Sequence, residues 1–425
     1  LKTLIAGGRV IDPSQGLEGD FDLLIDGKVI AKIDKPGKIK PDGKGKTIDA
    51  RGCIVAPGLV DMHVHLREPG YEGKETIATG SEAAVAGGFT SLACMANTHP
   101  INDKQTVTGY ILAKAREAKC KVFPIGACTV ALEGLKIADM GEMMEAGVVG
   151  FSDDGKTVMN AELQRRIFEL AQQLDMPVLV HAEDERLAAD GQMHEGAVST
   201  ELGLDGRPAV AEEIMVSRDI MLARTTGCRV HIQHISSAGS LELIRWAKSK
   251  KLPVTCEVTP HHLTLTDEDI GDYDTNCKMA PPLRSTEDRK ALIKALADGT
   301  IDVIATDHAP HGILLKMIEF DKAAFGIIGL ETALALTLRL VNETKLTLMR
   351  AIEALTVAPA RILGLDVGTL QVGKAADVCI FQPDKTFVYT PERIRSKSKN
   401  SPFINWELPG AVRYTMVDGK VVYTG

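Results

Sequence analysis

Val60-Asp61-Met62-His63-Val64-His65-Leu66-Arg67-Glu68-Pro69 is an apolar run that ends in two imidazoles and a guanidinium. In an extended strand, alternate side chains share a face. His63 and His65 therefore point the same way, with Arg67 just beyond them. Imidazole binds borderline divalent metals, and a guanidinium forks a carboxylate. The stretch reads as part of a metal centre beside an anion clamp. An isolated HxH pair also fits two hydrogen-bonded core histidines, so the reading turns on the other strand ends.

Further strand-length apolar runs follow at Ser91–Met95, Val122–Ile125, Gly147–Phe151, Val178–His181, Val230–Ile235, Val254–Val258 and Ile301–Thr306. Helical periodicity separates most of them, at Glu162–Leu174, Glu212–Arg224, Ser240–Lys250 and Asp288–Asp298. Such alternation over about 250 residues predicts an α/β protein built on a (β/α)8 TIM-type barrel. A doubly wound sheet is the alternative.

Barrel active sites sit at the C-terminal ends of the strands, and the unusual polar residues fall there. Asn97 follows the second strand, and Ser152-Asp153-Asp154-Gly155 follows the fourth. His181 ends the fifth, His234 the sixth and Asp307 the eighth. Imidazoles with carboxylates on one rim are the composition of a two-metal hydrolytic site. Asp153 and Asp154 cannot both point inward from an extended segment, so one of them is expected to bridge. Asp307 is the candidate for taking and returning a proton. Arg67, Asn97 and His311 are candidates for holding a carboxylate-bearing substrate. The chemistry implied is hydrolysis of an amide-like bond, or the reverse condensation. His231 precedes His234 by three residues and reads as structural; His261 and His262 read as loop packing, and His308 should point away from Asp307.

Both ends of the chain have another texture. Residues 1–55 and 367–425 read as short strands and turns, for example Thr3–Ile5, Val29–Ile33, Val378–Phe381 and Val421–Tyr423. One small β domain made from both termini explains this, with residues 56–366 inserted between them. The net charge of −8 argues against a broad nucleic-acid surface. The eight cysteines form no CxxC pair and read as free thiols of a reducing compartment. No apolar run is long enough to span a bilayer, and no signal peptide is read at the start. A cytoplasmic protein without membrane or nucleic-acid partners is expected.

The segment Asp61 to Pro69 resembles the first signature of the dihydroorotases, within the cyclic amidohydrolases. Ala305-Thr306-Asp307-His308-Ala309-Pro310-His311, with Lys316 after four more residues, resembles the second. Gly329-Leu330-Glu331-Thr332 and the closing run from Gly368 to Asp377 fit the same family, so the resemblance spans the chain. It implies zinc-dependent, reversible closure of N-carbamoyl-L-aspartate to L-dihydroorotate in pyrimidine synthesis. It also implies a barrel flanked by a β-sandwich made from both termini. His63 and His65 resemble the pair that binds one zinc with Asp307, and His181 and His234 the ligands of the other. Asp154 corresponds to the aspartate that, with a hydroxide, bridges the ions in the long bacterial class. Arg67, Asn97 and His311 resemble the substrate-carboxylate contacts. A homodimer is implied, and aspartate carbamoyltransferase is the partner the family suggests.

Three places depart from the family pattern. Ala96-Asn97-Thr98-His99-Pro100 stands where relatives usually read Pro-Asn-Thr-Asn-Pro, Ala280 stands where relatives often have asparagine, and the loop after His311, residues 312–320, is unusually apolar. Two other readings compete. A hydantoinase-like or allantoinase-like enzyme would be expected to use a carboxylated lysine instead of an aspartate bridge. A non-catalytic subunit of the transferase would be expected to have lost ligands, whereas all six candidates are present here.

Overall fold

The computed structural model describes residues 2–40 and 45–425. The two ends of the chain pair into one eight-stranded sheet. From the start come β1 (Lys2–Asp12), β2 (Leu17–Asp26), β3 (Val29–Asp34), β4 (Lys46–Asp49) and β5 (Ile54–Pro57). β1 joins β2 in antiparallel register, while β4 and β5 run parallel to it. Val378–Val388 lies antiparallel to β5, so the last strands of the chain complete a sheet that the first ones begin. Ile5, Val10, Leu23, Val55, Val378, Ile380 and Met416 make a shared core between the two termini.

The chain leaves this sheet through Gly58 into β6 (Leu59–Val64). A Cβ on Gly58 would lie 2.1 Å from the Thr90 hydroxyl oxygen, so only glycine lets the crossing pass so close to the neighbouring strand. β6, β7 (Phe89–Cys94) and β8 (Lys121–Pro124) form one parallel arc. β9 (Val178–Val180) opens a second parallel arc of four strands. Beyond it lie β10 (Met193–His194) and β11 (Gly206–Arg207), a separate two-stranded ribbon. β12 (Val230–Ile232), β13 (Val254–Val258) and β14 (Val303–Ile304) complete the second arc. The last three strands, β15 (Val378–Val388), β16 (Glu407–Val417) and β17 (Lys420–Thr424), return to the terminal sheet.

The expected fourth strand, Gly147–Phe151, does not form a ladder; only Phe151 makes isolated parallel bridges, to Gly126 and Val178. Glycine explains the shortfall. Gly147 has φ +110° and closes the helix Met140–Ala146, which leaves little room for regular extension before Gly150. Backbone bonds still link this segment to both arcs, from Val149 N to Pro124 O (3.0 Å) and from Phe151 N to Pro177 O (3.1 Å). The arcs also meet on their other side, where Val64 bridges His308 and His65 N donates to His308 O at 2.9 Å.

Helices cover the arcs where periodicity predicts them. Ala161–Gln173 is capped by Asn160, whose side chain accepts from Glu162 N and Leu163 N. It buries Gln164, Ile167, Phe168 and Ala171, the spacing of one helical face. The helices Ala209–Thr226, Ala238–Ser249 and Thr286–Ala297 overlap the other three expected spans. All six residues of β6 are buried, so His63 within it and His65 just beyond it are delivered from a rigid base.

Candidate active site

Six expected side chains meet at the C-terminal ends of the parallel strands, with Asp154 as their hub. Asp154 Oδ1 lies 3.4 Å from His63 Nε2, 3.5 Å from His234 Nε2 and 3.8 Å from His181 Nδ1. Its Oδ2 lies 3.3 Å from His65 Nε2. Asp307 Oδ1 closes the other side, 2.9 Å from His65 Nε2 and 3.4 Å from His63 Nε2. Three overlapping triads result, His63–His65–Asp154, His63–His234–Asp307 and Asp154–His181–His234; within each, the ligand atoms lie within 4.8 Å of one another.

For His63 and His65 the ring nitrogen turned away from this centre faces an acceptor, which leaves the other nitrogen's lone pair for a metal. His63 Nδ1 meets Glu257 Oε1 at 2.5 Å, and His65 Nδ1 meets Asn97 Oδ1 at 2.9 Å. His181 Nδ1 and His234 Nε2 lie 2.9 Å apart on the inner side. Imidazole and carboxylate donors in this arrangement suit a borderline divalent cation. The electrostatics agree. Burial works against charge on His63, but Asp307, Asp154 and Glu257 outweigh it and push its pKa well above the usual value. Burial likewise opposes ionisation of Asp154, yet His63, His234 and His65 hold it well below the ordinary carboxylate range. Carboxylates and imidazoles here stabilise one another's charged forms.

Asp153 has a different task. It leaves the rim and accepts from Cys128 N (2.8 Å) and Thr129 N (3.0 Å). The two adjacent aspartates therefore split into a loop anchor and a centre. Backbone strain accompanies the site: Arg67, His234 and Asp307 have φ of +62°, +32° and +45°. Left-handed non-glycine residues cost on the order of 1–3 kcal/mol each and cluster at functional sites.

The cavity over the centre has a volume of about 460 Å³, and Arg67, Asn97, His311 and Ala280 are on its wall. Arg67 Nη2 donates to His311 Nε2 at 3.3 Å. Burial, reinforced by Arg67, takes the His311 pKa down to about 2, so the ring is neutral. With Nε2 accepting, the assigned tautomer carries its proton on Nδ1, a buried atom with no partner. Burial lowers the Arg67 pKa only to about 10, against the pull of Asp307 and Asp154, so it stays cationic at neutral pH. Asn97 is less free than its sequence position suggested. Its Oδ1 serves His65, and its Nδ2 donates to Asp154 O at 3.3 Å, which leaves one amide hydrogen.

Sequence reasoning missed Glu257, which links His63 to His231 (3.1 Å) and accepts from His234 N (3.2 Å). A glutamate inside the apolar strand Val-Thr-Cys-Glu-Val was the available signal, since a buried charge needs a partner. It gives His231 its structural role. His308, as expected, turns away, toward Glu75 Oε2 at 3.3 Å. His261 and His262, expected in a loop, are instead buried in the short helix Pro260–Thr264, where His262 Nε2 bonds Pro281 O at 3.0 Å.

The model of the amidohydrolase family matches residues 54–422. A dihydroorotase of Syntrophus aciditrophicus is 51% identical over 425 residues, covering 100% of this chain and 99% of the relative. A dihydroorotase of Geobacter metallireducens is 51% identical over 424 residues, covering 100% of both chains. Among solved structures, L-hydantoinase (dihydropyrimidinase) from Arthrobacter aurescens superposes with a TM-score of 0.88 at 28% identity, covering 99% of this chain and 96% of that one. Dihydropyrimidinase from Brevibacillus agri shares the fold with a TM-score of 0.86 at 23% identity, over 100% and 95% of the two chains. The chain belongs to the amidohydrolase family and, within it, to the dihydroorotases.

Proposed function

We propose that this chain catalyses the reversible closure of N-carbamoyl-L-aspartate to L-dihydroorotate, with two zinc ions held by His63, His65, Asp154, His181, His234 and Asp307. The observation that carries the reading is the meeting of all six side chains beneath a cavity that also presents a carboxylate clamp. Metal ions held there would supply an activated water and polarise the ring carbonyl. Asp154 spans the two halves of the donor set as the bridge. Arg67 and the unpartnered Nδ1–H of His311 hold the substrate α-carboxylate, and the spare amide hydrogen of Asn97 adds a third donor. The Asp307 carboxylate accepts a proton from the attacking water and delivers it to the departing ring nitrogen; in synthesis the proton runs back.

The same reading takes the eight parallel segments as a closed (β/α)8 barrel spanning 56–366, supported by the backbone bonds on both sides of the two arcs. It takes 1–55 and 367–425 as the flanking sandwich, supported by the core that the two termini share. A cytoplasmic homodimer, open to aspartate carbamoyltransferase, belongs to it as well. Among the described residues no helix is long and apolar enough to cross a membrane.

Turnover of L-dihydroorotate by zinc-supplemented protein tests the proposal. Ring opening that a chelator abolishes and zinc restores is the expected result. A folded, fully metallated protein that leaves the ring intact would overturn it.

A further inference from the structure

On the side of His181 away from the metal centre stands a second buried carboxylate. His181 turns Nδ1 inward, and its Nε2 lies 3.9 Å from Glu183 Oε2. Arg207 Nη1 donates to that same Oε2 at 2.9 Å, and the other oxygen, Oε1, is buried with no partner. Arg207 is itself fixed. Its Nε donates to Gly191 O at 2.7 Å, its guanidinium lies over the Phe325 ring at 4.5 Å, and its backbone is part of β11. Gly191 permits this fit, because a Cβ there would lie 2.6 Å from Arg207 Cγ.

We infer that Glu183, clamped by Arg207, is a positioning residue that fixes the Nδ1-ligating tautomer of His181 and so sets occupancy of the His181–His234 half of the metal centre. The inference rests on the metal assignment above. It makes Glu183 the counterpart of Glu257, which backs His63 in the other half. An acceptor behind a ligating imidazole fixes its tautomer and raises its basicity. Glu183 Oε2, held by Arg207, faces Nε2–H at 3.9 Å, and Oε1 of the same carboxylate has no other partner to draw it away.

The experiment compares zinc content and cobalt(II) absorption spectra of the full chain carrying Glu183→Ala, Glu183→Gln or Glu257→Gln, titrated with each metal alone. For Glu183→Ala the expected result is a roughly 10–100-fold weaker affinity for one of two metal equivalents. The spectral bands lost should differ from those that Glu257→Gln removes, and Glu183→Gln, whose amide oxygen still accepts, should recover part of the affinity. Gly191→Ala, which displaces Arg207 without touching the centre, should reproduce the Glu183→Ala pattern more weakly. Two full-affinity equivalents with an unchanged spectrum in Glu183→Ala would overturn the inference. Equal weakening of both equivalents would do so too. Absence of metal from the parent protein would instead strike at the functional reading.

Discussion

Two pairs of buried aspartates, one in the terminal sheet and one at the ends of the parallel strands, are treated in opposite ways. In the terminal sheet, Asp12 is fully buried, and its oxygens accept from Ser14 N (2.9 Å), Gln15 Nε2 (2.7 Å) and Leu370 N (2.7 Å). Asp22 accepts from Gly7 N at 2.8 Å and Gly37 N at 2.7 Å. These carboxylates are saturated by the chain itself. At the ends of the parallel strands, Asp154 and Asp307 face ring nitrogens instead, Asp154 at 3.3–3.8 Å. A buried charge must be matched, so the second arrangement implies a partner that the polypeptide does not supply. Saturation by N–H groups marks a structural acid; convergence on imidazoles marks a candidate metal ligand.

The largest effect that would test this contrast is expected at Asp307. Asp307→Asn keeps the size and one ligating oxygen but removes the proton acceptor. Turnover should fall by roughly 10²- to 10⁴-fold, the usual worth of a general acid–base group. Metal content, measured after removal of free zinc, should be largely retained. Turnover near that of the parent protein would remove the proton-transfer role from Asp307 and leave it a ligand only.

Asp153 and Asp154 carry the same contrast within two consecutive residues. Asp154→Ala should weaken metal binding beyond the roughly 10–100-fold expected for loss of an outer partner. Asp153→Ala should leave the metals in place. It strands the Cys128 and Thr129 amides, at a cost of about 1–3 kcal/mol for a buried donor left unmade. Metal titration alongside denaturant midpoints separates the two effects, and the opposite ranking would exchange their roles.

Much of this was legible in the sequence because period and residue type sufficed. The alternation from Met62 to Arg67 put two imidazoles on one face, and the runs ending at His181, His234 and Asp307 placed the rest. The strand-like texture of both ends anticipated pairing of β5 with β15. Other features depend on partners distant in the chain. Nothing local distinguishes Asp153 from Asp154, whose fates are set by the 128–129 amides and by His63. Glu257 acquires its meaning from His63 and His231 on other strands, and Glu183 from Arg207 on β11. β10 and β11, two residues each, are too short for any period to register, yet they carry Arg207. The loop at 312–320 also read correctly as apolar: Ile313, Leu314 and Met317 are 67%, 82% and 76% exposed.

The smallest expected effect lies in the terminal sheet, and it tests whether the saturated acids are confined to stability. Asp12→Asn preserves shape and one acceptor but substitutes an amide NH₂ for a carboxylate oxygen. Asp12 Oδ2 serves both Gln15 Nε2 and Leu370 N, and the amide nitrogen can accept from neither. Turning the amide round moves the mismatch onto Ser14 N. In the first orientation the buried Leu370 N loses its partner, at a cost of about 1–3 kcal/mol; in the second the donor left over belongs to exposed Ser14 and the loss is smaller. The clamp between β1 and residue 370 should weaken, seen as a lower denaturant midpoint with unchanged slope. Turnover per folded molecule and metal content should stay at the parent values, because Asp12 touches neither the cavity nor its ligands. A fall in metal content without loss of stability would mean that the terminal sheet acts on the centre through more than a shared fold, and the division between the two kinds of buried aspartate would fail.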